Sequence, residues 1–85
     1  MNIIYNSEHY SVVEFGVQLE HEVLRFGGYE ILDKSVRREC FIGGTQAEVF
    51  RKDVEELISQ EPSMEEIDEF LGQYDPYMAQ SVLLN

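Results

Sequence analysis

The sequence predicts an α+β domain: a small antiparallel sheet of about four strands in the N-terminal half, packed against two C-terminal amphipathic helices. Three observations predict it. β-branched and aromatic residues gather in short runs separated by turn signals across the first half. Two capping-box patterns, Thr45-x-x-Glu48 and Ser63-x-x-Glu66, open the second half's two apolar-periodic stretches. The 85 residues suffice for a single domain, residues 1–85, with one modest core.

The strands come first. Residues 2–6 are a short apolar run closed by Asn6-Ser7, and residues 10–15 form a second run ended by Gly16. Ser7-Glu8-His9 between them reads as a hairpin loop. Residues 17–23 fit neither a helical nor a strand period. Gly27-Gly28 predicts a bulge or a sharp bend, because residues without Cβ tolerate unusual backbone angles. Residues 29–32 and 39–42 then flank Asp33-Lys34-Ser35-Val36, a four-residue hairpin connection. Each arm mixes apolar and charged residues, as strands with one wet face do. Gly43-Gly44 closes the second arm.

Two helices follow. Behind Thr45, the residues Ala47, Phe50, Val54, Leu57 and Ile58 share a sector roughly 100° wide, with Val49 off the stripe and partly exposed. Glu61-Pro62 stops this helix, since a residue before proline avoids the α region. Met64, Ile67, Phe70, Leu71 and Tyr74 form the second stripe, opposite Glu65, Glu66, Asp68 and Glu69. Gly72 and Asp75-Pro76 end it. Phe50, Val54, Leu57, Ile67, Phe70 and Leu71 are therefore expected to be buried together against the sheet. The tail, with Tyr77, Met78, Val82, Leu83 and Leu84, is too apolar for a solvated end. An open sheet edge offers residues 81–84 a docking place, on their own domain or across a homodimer.

Charge excludes several partners. The net charge is −11, and residues 43–85 hold two Lys/Arg against ten Asp/Glu. Such a field repels phosphate backbones and anionic membranes, so neither nucleic acid nor membrane is an expected partner. The single cysteine, Cys40, forms no internal disulfide, and no Cys/His spacing suits zinc. No leader-like N-terminus and no long apolar run stands out, which points to a cytoplasmic protein.

Four features bear on chemistry. Glu65, Asp68 and Glu69 stand at i, i+3 and i+4, but no calcium-type loop accompanies them, and a solvated helix face accounts for them. His21 lies between Glu20 and Glu22 without a framed nucleophile. Cys40 follows Arg38 at strand spacing, which is weak support for a reactive thiol and good support for a half-buried filler. Arg25-Phe26-Gly27-Gly28-Tyr29 has the composition of a protein-binding hot spot in Arg25, Phe26 and Tyr29, and equally that of core aromatics beside a bend. No catalytic residue, cofactor or metal site is expected.

The run from Leu24 to Ile31, followed by Asp33-Lys34, resembles a small beta-proteobacterial family classed as a domain of unknown function. The likeness extends to Ile4-Tyr5-Asn6-Ser7, to Val12-Val13-Glu14-Phe15-Gly16 and to the stretch from Glu65 to Gly72. It implies a cytoplasmic bacterial protein and carries over no activity or site residue.

Composition and motifs together favour a small acidic, non-catalytic module that binds an unidentified protein partner or a second copy of itself. The alternative is a small-ligand binder or minor enzyme using His21 and nearby carboxylates. A third reading is an acidic decoy for a nucleic-acid-binding protein.

Overall fold

The computed structural model describes residues 2–15 and 27–80. Residues 17–23 and 81–84, discussed above, lie outside them. Strands β1 (Asn2–Asn6), β2 (Tyr10–Phe15), β3 (Gly28–Asp33) and β4 (Arg38–Gly43) precede helices α1 (Thr45–Ser59) and α2 (Met64–Gly72). A 3-10 turn, Asp75–Tyr77, leads into a two-residue strand, β5 (Ala79–Gln80). Among the described residues these strands make one antiparallel sheet in the order β1-β2-β3-β4-β5. The fold is α+β, with the fifth strand added by the tail.

Alternation sorts the side chains onto two faces. Val12, Ile31 and Cys40 lie in one cross-strand row, and Glu14, Tyr29 and Ile42 in the next, all on the face covered by the helices. The buried core joins Tyr10, Val12, Tyr29, Ile31 and Ile42 of the sheet to Ala47, Phe50, Leu71 and Met78. Phe50 is its hub, with Tyr29 at 4.9 Å, Tyr74 at 5.6 Å and Phe70 at 6.1 Å between ring centroids.

The six-residue helix core expected from sequence is graded rather than uniform. Phe50 and Leu71 are fully buried, while Val54, Leu57, Ile67 and Phe70 are half-buried. Ile58 and Met64, placed on the stripes by periodicity, are exposed near helix ends. Val49 is exposed, as its place off the stripe predicts.

The two helix starts differ. Ser63 caps α2: its hydroxyl accepts from Glu66 N at 3.2 Å, and Glu66 Oε1 accepts from Ser63 N at 3.3 Å. The Thr45–Glu48 box is absent. Thr45 is already helical, the cap is Gly44, and no side chain accepts from the first turn. Gly44 has φ 61° and ψ −137°, a region close to one that only glycine occupies readily. It turns the chain out of β4, and its carbonyl accepts from Ala47 N at 3.1 Å. Gly44→Ala should therefore cost about 1–3 kcal/mol. Ser63→Ala should cost about 1 kcal/mol, and Thr45→Ala less than about 0.5 kcal/mol. Urea titrations of the three variants check this ranking, and a Thr45→Ala loss as large as that of Ser63→Ala would overturn it.

The hairpin loop between β3 and β4 is Lys34-Ser35-Val36-Arg37, one residue later than expected. Asp33 ends β3 opposite Arg38, and its Oδ1 accepts from Ser35 N at 3.0 Å and Ser35 Oγ at 2.6 Å. Arg37 turns back with φ 55°. Gly27 makes a bend (φ 74°), and pairing runs unbroken through Gly28, so no bulge forms there. A bulge lies instead in β1, where the register shifts between Ile3 and Tyr5.

Polar contacts lock the layers together. Asp68 Oδ1 accepts from Tyr5 OH and from Ser7 Oγ, both at 2.8 Å, tying α2 to β1 and its turn. Tyr10 OH donates to Asp75 at 3.1 Å and fixes the 3-10 turn over β2. Burial, with Asp75 adding to it, pushes the Tyr10 hydroxyl up to about 12.

Candidate interaction site

The sheet's two edges are unequal. β1 forms one edge, and its bulge disrupts the ladder that an incoming strand would need. β4 is nearly the other edge, because β5 pairs with it only at Arg38 and Glu39. Among the described residues, no backbone bond reaches the outer side of residues 40–43. In an antiparallel ladder, alternate residues aim their N–H and C=O away from the paired neighbour. Two of these four residues thus present backbone groups outward.

A cleft of about 600 Å³ runs along this free stretch. Its floor is residues 39–42. Gln46 and Val49 of α1 form one wall, and Tyr74, Tyr77 and Ala79 the other. The 3-10 turn builds that second wall by curling the chain away before β5 begins, held there by the Tyr10–Asp75 bond. Phe41, Val49 and Tyr77 are 55%, 59% and 77% exposed. Val49 and Tyr77 flank the cleft on its helix side, while the Phe41 ring lies on the outer face over Gly28 and Gly43, 5.9 Å from Phe15. Exposed apolar groups thus continue round this edge, beyond the scattered singles of an ordinary surface. A second hollow, of about 180 Å³ beneath Ile4, Val54 and Leu57, is below the usual size of a ligand pocket.

Carboxylates surround the main cleft. Burial pushes the Cys40 thiol up, and Asp75 and Glu30 push it further. Burial and then Asp53 do the same to the Tyr74 hydroxyl. Both shifts oppose a negative charge appearing at the floor, so Cys40 is held as the thiol and acts as filler. On the outer sheet face, burial raises the Glu30 carboxyl, with help from the charge and hydrogen bond of Glu39.

The sign of that last shift fixes a pH response. Glu30 binds its proton more readily in the folded than in the unfolded chain, so its burden on the fold is full at neutral pH. Stability from this group rises as pH falls through the raised folded value towards the ordinary 4.5. Glu30→Gln should therefore raise the thermal midpoint at pH 7 and flatten its dependence on the acid side. An unchanged or lowered midpoint at pH 7 would count against the assignment.

The residues singled out from sequence are dispersed. Tyr29 is in the core, 2% exposed; its hydroxyl accepts from Arg51 Nε at 2.8 Å and donates to Glu14 at 3.2 Å. Arg25, Phe26 and His21 lie outside the described residues. Asp68 is turned towards Tyr5 and Ser7, away from convergence with Glu65 and Glu69. Among the described residues no three His, Cys, Asp or Glu side chains are grouped to hold a metal ion. No helix among them is long and apolar enough to cross a membrane. Of the cleft residues, Val49 had a sequence signal, its place off the helical stripe. Tyr77 had one in the apolar tail, though it is itself exposed, and Phe41 had none, since only the tertiary fold brings the tail beside β4.

Among the described residues, these features define a small acidic α+β domain with a bulged edge on one side of its sheet and an open one on the other. The chain belongs to the family described as "Protein of unknown function (DUF3567)", whose model matches residues 1–85. It is similar to Protein BTH_I0359 of Burkholderia thailandensis, 53% identical over 85 residues that cover the whole of both chains. No solved structure matches it.

Proposed function

We propose that the protein is a non-catalytic, cytoplasmic interaction module that holds another protein in the cleft beside β4. The observation that carries this reading is the exposure of Val49 and Tyr77 at the cleft, and of Phe41 on the adjoining outer face, beside a stretch of sheet edge that the described residues leave unpaired. Interfaces centre on such apolar and aromatic groups and place charge at their rim. Here Glu39 and Gln46 supply polar groups at the cleft itself.

Site-specific photo-crosslinking in cells tests it. A benzophenone side chain at Val49 faces the cleft, whereas one at Glu55 lies beside Ile4 and Glu14 on the far side of α1. A discrete adduct is expected from position 49, absent from position 55 and lost on Tyr77→Ala. No adduct at position 49, or the same adducts from both positions, would remove the reading.

A further inference from the structure

We propose that the occupant of this cleft is an extended segment of a partner, of alternating apolar and basic residues, added to the sheet as a strand along residues 40–43. The inference rests on the interaction reading above and names the chemistry of its partner. Backbone geometry carries the first half of it. Residues 40–43 give about 13 Å of strand with outward backbone groups that the described residues leave unpaired. Strand addition satisfies such groups, and pockets for alternate side chains supply the selectivity.

The tail does not fill the slot by extending β5. Gln80 pairs with Arg38 and Ala79 with Glu39, so the antiparallel run moves towards Arg37 as the chain proceeds. Residues preceding Ala79 are the ones that would face residues 40–43, and of these Asp75–Tyr77 are wound into the 3-10 turn, leaving only Met78 extended. The slot is left to a segment from outside this ladder.

Its side-chain pattern follows from what stands on each side. Towards the helices, an added strand meets Val49 and Tyr74, which suit apolar residues. On the outer face it runs beside Phe41 and Glu39, with Glu30 one strand further in. Glu30 and Glu39 stand diagonally across β3 and β4 on this face, and the chain carries net charge −11, so lysine or arginine is the complementary choice. Arginine would also cover the Phe41 ring.

A peptide panel followed by amide NMR of the intact protein decides the point. The probes are an eight-residue alternating Val/Lys peptide, its form N-methylated at alternate residues, its Val/Glu counterpart, and a basic amphipathic helical peptide. The Val/Lys peptide should shift the amides of residues 40–43 and slow the exchange of two of them. N-methylation, Glu for Lys, or Val49→Lys in the protein should each weaken binding at least tenfold. If the Val/Lys peptide leaves those amides unmoved, or N-methylation has no effect, the strand proposal is overturned. Should the position-49 adduct still form in that case, the interaction reading stands and the occupant is of another shape. Shifts confined to the helical peptide would assign it as a helix in the groove.

Discussion

Phe50→Ala should destabilise the fold by roughly 3–5 kcal/mol, and Phe70→Ala by less than about 2 kcal/mol. The two phenylalanines occupy equivalent places in their helical stripes, but only Phe50 is fully buried. Truncating it leaves a cavity against Tyr29 and removes ring contacts to three neighbours. Each aromatic pair contributes about 0.5–1.5 kcal/mol beyond the area it buries. Phe70 keeps part of its ring in water, so its truncation opens a notch into which solvent moves. A domain of this length has roughly 4–13 kcal/mol of stability in all, so the Phe50 variant should sit near its unfolding midpoint in low urea. Equal losses for the two variants in urea titrations would place both rings at the same depth and contradict the graded core.

Gly28→Ala should cost about 1–3 kcal/mol, and Gly43→Ala clearly less. The two glycines pair across β3 and β4 on the outer face, and the Phe41 ring lies over both. A Cβ on Gly28 would meet Phe41 Cζ at 2.7 Å and the carbonyl oxygen of Ile42 at 2.9 Å. On Gly43 it would meet Phe41 Cε1 at 2.8 Å and nothing else nearer than 3.5 Å. The half-exposed Phe41 ring can swing away, whereas the Ile42 carbonyl is held in the β4 backbone. In the Phe41→Ala background, the Gly43→Ala cost should therefore vanish and the Gly28→Ala cost should fall only in part. A double-mutant cycle in urea measures the coupling. Coupling of zero for both pairs would mean that the ring does not rest on the glycines.

How much of this was legible in the sequence varies by element, for physical reasons. The first two strands and their loop were readable because Asn6-Ser7 and Gly16 bracket runs of β-branched and aromatic residues. Ser63 was readable as a cap because Pro62 before it excludes the competing start. Thr45 follows Gly44, and a T-x-x-E pattern does not reveal that the glycine has taken the turn. The bulge in β1 left no trace, since Ile3-Ile4-Tyr5 is apolar throughout and shows no alternation to interrupt. The docking expected of residues 81–84 lies outside the described residues; just before them, Ala79–Gln80 pair with β4. The cleft was the least legible, because Phe41, Val49 and Tyr77 belong to three separate elements. No period along the chain relates residues that meet only through sheet order.

The bulge in β1 also determines what assemblies this sheet permits. An open β4 edge on every copy would invite edge-to-edge pairing. If β4 of one copy paired with β1 of the next, each addition would leave a fresh edge, and growth would continue as a filament. The register shift at Ile4 takes away the flat second edge which that head-to-tail growth requires. Pairing of β4 with β4 would instead use both edges and stop at two copies, and pairing with a different protein would stop at one. A single extra residue in the first strand would thus act as a chain terminator for a sheet whose opposite side the described residues leave open.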